Sequence, residues 1–328
     1  MDTKPRHSPE RASMKNPNAN QSPNQTSNEN LKLKIGDYEI CPVPTGIFGL
    51  DGGAMFGTVP KVLWEKSNPT DDKNRISMEA RALLLKGKTR NILIDTGNGA
   101  DFVAKYGEKL GNKFSEMYGI DATGPSLEKS LKQHGLAFDD ITDVILTHLH
   151  FDHAGGATTE RNSQVVPTFP KAQYYVQKAN LETARKPNIR EKASYFAANF
   201  EPIVASGKLK ILEGAQENLL PQISVLISNG HTAGQQMVKI SDGKTTLLYC
   251  GDVVPTSSHV RLAWVMGYDL EPIKLIDEKT QILGPAADEH WYLYFEHDPY
   301  CDAAQITRNG PDFAIQTRYS FEVPSLIW

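Results

Sequence analysis

The chain has 328 residues, 39% of them hydrophobic and 23% charged, with a formal net charge of -4. Such a length fits one large domain or two smaller ones, and the composition is that of a soluble globular protein. No run approaches the roughly eighteen apolar residues of a membrane span, and a mildly acidic chain has no general attraction to nucleic acid, so neither a membrane nor a nucleic acid is expected as a partner.

In chain order, residues 1–30 come first. They are rich in Asn, Ser, Pro and charge and nearly free of large apolar side chains. Such a segment cannot bury enough surface to offset its ordering entropy, which predicts a disordered N-terminal tail. It lacks the apolar stretch of a secretory signal, so a cytoplasmic location is expected. No Pro/Gly/Ser linker interrupts residues 31–328, which are expected to form one domain. Cys41, Cys250 and Cys301 are too scattered for a disulfide framework, and no CxxC pair offers a thiolate zinc site.

LKLKIGDYEICPVP alternates apolar and polar residues and predicts strand. ARALLLKGKTRNILIDTG predicts two strands joined by a turn at 86–88, the second running into Asp95-Thr96-Gly97. SLEKSLKQHGLAFDDI predicts a helix, with Leu127 and Leu131 on one face and Gly135 suited to a C-terminal cap. Further strands are expected at 143–147, 172–177, 223–228, 235–241, 245–252 and 291–298, with a helix beginning at Leu181. Strands in two groups with helices between them predict an α+β fold, an αββα sandwich of two mixed β-sheets flanked by helices.

The chemistry concentrates in Thr147-His148-Leu149-His150-Phe151-Asp152-His153-Ala154-Gly155-Gly156. His148 and His150 are two residues apart, so in extended chain they point the same way and can bind one ion together. Asp152 and His153 lie just beyond, where the chain turns, and can face a second ion. Gly155 and Gly156 are expected to let the backbone bend tightly beneath the metals. Four side chains do not complete two sites. His231 in Asn229-Gly230-His231-Thr232, Asp252 in Tyr249-Cys250-Gly251-Asp252, and His297 in Phe295-Glu296-His297-Asp298 each follow an apolar strand, and one rim of a sandwich could gather them. Imidazole and carboxylate donors suit zinc, iron or manganese.

These blocks, with Asp95-Thr96-Gly97 before them, resemble the metallo-β-lactamase superfamily over residues 41–298. The resemblance implies two divalent metal ions, zinc in the first place and iron or manganese otherwise. It assigns His148, His150 and His231 to one ion and Asp152, His153 and His297 to the other, with Asp252 bridging them. It makes Asp95 a group that orients a ligand histidine. Gly52-Gly53-Ala54-Met55-Phe56-Gly57, Lys61-Val62-Leu63-Trp64, Pro255-Thr256-Ser257-Ser258-His259 and Trp264-Val265-Met266 look most like quorum-quenching N-acyl-homoserine lactone lactonases of the YtnP type. The activity this implies is opening of the lactone ring by a metal-bridging water or hydroxide. Asp252 would serve as the bridge, and Asp152 as a carboxylate able to relay the proton.

A lactone or ester with an acyl chain needs an apolar wall. Met55, Phe56, Trp64, Phe151 and Trp264 are candidates for it, with His259 as a polar neighbour. The Gly-rich loop at Met55 and Phe56 is expected to fold over the site or, alternatively, to serve a homodimer contact. The competing readings are a phosphotriesterase of the methyl parathion hydrolase kind, a thioesterase of the glyoxalase II kind and, more remotely, a redox or binding protein on the same scaffold. Gln235-Gln236 after the Gly-His-Thr block is unusual for the superfamily.

Overall fold

A strand covered on both faces needs apolar side chains at every position. The runs ALLL at 82–85 and TLLY at 246–249 have that character. The computed structural model describes residues 28–120 and 124–322 of the chain. Its strands are β1 (Glu29–Leu31), β2 (Leu33–Ile35), β3 (Tyr38–Asp51), β4 (Arg75–Lys86), β5 (Asn91–Ile94), β6 (Asp143–Ile145), β7 (Thr158–Arg161), β8 (Gln164–Pro167), β9 (Gln173–Gln177), β10 (Leu209–Leu212), β11 (Gln216–Leu220), β12 (Ile223–Ser228), β13 (Gln235–Ser241), β14 (Thr246–Tyr249), β15 (Tyr292–Tyr294), β16 (Ala303–Asn309) and β17 (Asp312–Phe321). The helices are α1 (Gly52–Phe56), α2 (Lys61–Trp64), α3 (Phe102–Tyr106), α4 (Glu108–Tyr118), α5 (Leu127–Gln133), α6 (Phe151–Ala154), α7 (Lys178–Arg185), α8 (Glu201–Ala205) and α9 (Pro272–Asp288).

The expected tail, 1–30, falls mostly outside the described residues, but Glu29 and Asn30 already pair with Tyr319 and Ser320. Two mixed sheets stack face to face. One has the order β10-β9-β6-β5-β4-β3-β2, the other β1-β17-β16-β15-β14-β13-β12-β11. In the first, β5, β6, β9 and β10 run parallel and the rest antiparallel. In the second, β14 and β15 are parallel neighbours.

The period of two divides each apolar run between two cores. Leu83, Leu85, Leu247 and Tyr249 enter the inner core between the sheets. Ala82 and Leu84 turn outward beneath α5 and α7, where Leu127, Leu131 and Leu181 meet them. Leu248 turns outward beneath α9, against Leu275 and Leu283. Helix, sheet, sheet and helix are thereby stacked in four layers, the αββα arrangement. Among the described residues no helix is long and apolar enough to cross a membrane.

The strands β5, β6, β12, β14 and β15 end at one rim, and the candidate ligands follow those ends. The turn after β6 is sharper than extended chain. His150 is the last extended residue (φ -62°, ψ 156°), and α6 carries Asp152 and His153 in a single helical turn. The neighbouring glycines serve a different purpose from the expected tight bend. Gly155 has ordinary helical angles, but a Cβ there would overlap the backbone of Gly97 and Asn98, and one on Gly156 would overlap Thr96. They are small because the Asp95 turn packs directly on them.

Candidate metal centre

Ring nitrogens of His148, His150 and His231 converge on one point. His148 Nε2 lies 2.9 Å from His150 Nδ1, which lies 3.2 Å from His231 Nε2. Beside them, His153 Nε2 and His297 Nε2 are 3.2 Å apart, with Asp152 oxygens 3.9 and 3.7 Å from those nitrogens. Asp252 spans the two groups. Its Oδ2 is 3.2 Å from His231 Nε2, and its Oδ1 is 3.2 Å from His297 Nε2 and 3.5 Å from His153 Nε2. All seven side chains are buried. The structure therefore brings together the seven residues singled out in the sequence as candidate ligands.

For four of the five rings, all but His150, the far side explains what the near side presents. His148 Nδ1 faces Thr147 Oγ1 at 3.1 Å, and His297 Nδ1 faces the carbonyl of Glu79 at 2.9 Å. His231 Nδ1 faces Asp269 Oδ1 at 2.9 Å, and His153 Nδ1 faces Asp95 Oδ2 at 3.0 Å and Glu296 Oε2 at 2.8 Å. A ring N–H donated outward leaves the inner nitrogen as a lone pair. Lone pairs facing one another at about hydrogen-bond distance need a cation between them. Asp252 Oδ1 is buried with no hydrogen-bond donor, which is costly unless a cation takes its place. The residues fit a pair of metal ions.

The electrostatics agree. Burial and the neighbouring His153 and His150 hold His148 well below the usual imidazole value. At His297 burial opposes the cation, but Asp252 outweighs it and raises the group to about 9. Glu296, Asp252 and Asp152 likewise overcome burial at His153 and hold it well above its ordinary value. The carboxylates thus concentrate negative potential where the ring nitrogens meet.

Asp95 sits at φ 55°, a region that residues with a Cβ seldom use. It is held there by accepting the Thr147 N–H and Thr147 hydroxyl, each at 2.6 Å. Sequence reading missed Asp269 and Glu296. Glu296 stands beside His297 in the chain, a signal that was available; Asp269 had none. Gln235 and Gln236 also gain a role. Gln236 donates to the Leu146 carbonyl at 2.8 Å and accepts from Gln177 at 2.9 Å, tying β13 to the other sheet. Gln235, with its amide oxygen turned inward, meets the N–H groups of Asp252 and Val253 at 2.9 and 3.0 Å.

A cleft of about 280 Å³ opens above the cluster, with His150, Asp152, His231, Asp252 and His297 on its floor. Met55 and Phe151 form part of its wall, together with Leu50, Tyr118, Met266 and Tyr268. Phe56, Trp64, His259 and Trp264 stand one layer behind. Phe56 is sandwiched between Trp64 and His259, at ring separations of 5.1 and 4.8 Å, and meets Trp264 edge-on. His259 Nε2 faces the carbonyl of Met55 at 2.8 Å, so it braces the wall from outside the cleft. Arg190, Glu191 and Ser194, which sequence reading passed over, supply the polar edge.

Residues 80–297 match the family model described as the metallo-beta-lactamase superfamily. Over 184 residues the chain is 29% identical to an N-acyl homoserine lactonase from Bacillus cereus, a match covering 53% of this chain and 63% of that one. The chain thus spans less than two thirds of that relative's length. A solved probable metal-dependent hydrolase from Staphylococcus aureus superposes with a TM-score of 0.77 at 31% identity, covering 88% of this chain and 99% of that one. AidC, a dizinc quorum-quenching lactonase solved with a product, superposes with a TM-score of 0.71 at 22% identity, over 89% and 98% of the two chains. At that identity the likeness to AidC is one of fold.

Proposed function

Because the chain belongs to the metallo-β-lactamase superfamily, we propose that it is a dinuclear metal-dependent hydrolase that opens the ring of N-acyl-homoserine lactones. The observation that carries the reading is Asp252, whose two oxygens face two separate groups of imidazoles. His148, His150 and His231 would hold one ion, and Asp152, His153 and His297 the other. Zinc is the metal proposed. Divalent ions held there supply the charge that activates a water near neutral pH and polarises an ester carbonyl.

The chain's own residues do the rest. Thr147, Asp95, Asp269 and the Glu79 carbonyl fix the rings of His148, His153, His231 and His297, so those donor atoms are set before substrate arrives. Asp152, on the cleft floor, takes the proton released as water adds to the carbonyl. It returns that proton to the alkoxide when the ring C–O bond breaks, giving the hydroxy acid. Met55, Phe151 and Met266 exclude water and receive the acyl chain. The lactonase relative supports the choice of lactone among the ester-like substrates.

A pH-indicator assay tests this with N-hexanoyl-homoserine lactone, a phosphotriester, a glutathione thioester and a β-lactam. The lactone is expected to turn over fastest. Turnover of the phosphotriester alone would replace the lactone reading by the phosphotriesterase one.

A further inference from the structure

The cleft is apolar on most of its wall, which makes its polar edge informative. Glu191, although it lines the cleft, is fully engaged. One oxygen accepts the Thr232 hydroxyl at 2.9 Å and the Tyr195 hydroxyl at 3.4 Å, and the other accepts from Asn188 at 2.7 Å. Arg190 is different. One of its amino groups, Nη2, donates to the carbonyls of Gly267 and Asp269, on either side of the wall residue Tyr268. Its Nε and Nη1 donors have no hydrogen-bond partner among the described residues, and neither has the hydroxyl of Ser194. Arg190 is also the one Arg or Lys side chain among the described residues lining this cleft.

We propose that Arg190 and Ser194 form a recognition subsite for a neutral hydrogen-bond-accepting oxygen that the substrate carries outside its scissile group. In the substrate class named above, on which this inference rests, that oxygen is the amide carbonyl of the N-acyl group. A substrate that covers the polar edge strips water from these donors. One that brings an acceptor restores the hydrogen bonds, whereas one without it leaves a charged donor unpaired. A neutral oxygen fits better than an anion, because the Glu191 carboxylate stands at the same polar edge. The bond from Arg190 to the 267–269 segment holds the guanidinium in place before substrate arrives, so less side-chain entropy is lost on binding.

The test compares two lactones, N-hexanoyl-homoserine lactone and γ-butyrolactone, which lacks the amide. Wild type, Arg190→Ala and Ser194→Ala are assayed on both. Binding of the ring-opened N-hexanoyl-homoserine is measured separately by titration calorimetry. The ratio of kcat/KM for the amide-bearing lactone to that for the bare one should fall about tenfold or more in Arg190→Ala, mainly through KM. It should fall by a smaller factor in Ser194→Ala, which leaves the contact with the 267–269 segment intact. Product affinity should drop in parallel. An unchanged ratio in both variants, whatever the absolute rates, would overturn the proposal and leave Arg190 as a tie between loops. If wild type hydrolyses neither lactone, the lactonase reading fails. The subsite is then judged by the calorimetric arm alone, where equal product affinity in wild type and Arg190→Ala overturns it.

Discussion

Asp269 shows how one carboxylate can set two parts of a site at once. It accepts from His231 through Oδ1 at 2.9 Å and from the backbone N–H of Met266, a residue of the cleft wall, through Oδ2 at 2.6 Å. Asp269→Ala should therefore weaken metal affinity by about 10–100-fold, read by competition with a chromophoric chelator; unchanged affinity would show that His231 is oriented by other means. Gly155→Ala forces a Cβ into the backbone at 97–98. It should lower the unfolding free energy by about 1–3 kcal/mol, seen as a lower urea midpoint, and an unchanged midpoint would refute the close-packing account. At this scale the sequence was partly legible. The candidate ligands and Asp95 sit in short blocks with their own spacing. Met55 and Phe56 did not separate, because neighbours on a one-turn helix point about 100° apart, and only the fold decides which faces the cleft.

Helix α9 carries a lysine where a helix facing a core should be apolar. Lys279 is fully buried, and its ammonium donates to the carbonyls of Arg261, Leu262 and Trp264 at 2.7, 3.3 and 3.0 Å. It thereby ties down the segment that leads to Met266 and Tyr268. Burial lowers its pKa from 10.5 to about 7. Below about 7 the folded and unfolded chains both hold the proton. Between about 7 and 10.5 the unfolded chain binds more protons, so stability rises with pH across that window. Lys279→Met should remove that rise in a pH series of urea midpoints; the same slope in the variant would assign it to other groups. The sequence reading missed α9, because Pro272, Gly284 and Pro285 interrupt its pattern. It also missed β16 and β17, whose many half-exposed positions weaken the alternation. By contrast β12 and β13 were expected at their observed bounds, since alternation there is regular and a Gly-containing turn separates them.

At the scale of the whole molecule, the sandwich turns sequence separation into proximity. His148 and His297 are 149 positions apart in the chain, yet the inner core of both sheets fixes the strand ends that carry them. The two-sheet architecture was legible because buried strands leave apolar runs of telling length. The wall of the cleft was not, because it is assembled from loops and short helices whose facing depends on tertiary packing. The central claim is that seven side chains on one rim hold a pair of cations. Elemental analysis of the purified chain, before and after dialysis against zinc and removal of the excess, tests it most directly. About two metal ions per chain are expected, falling well below two in Asp252→Ala. A wild-type chain that retains none after zinc loading would contradict the account.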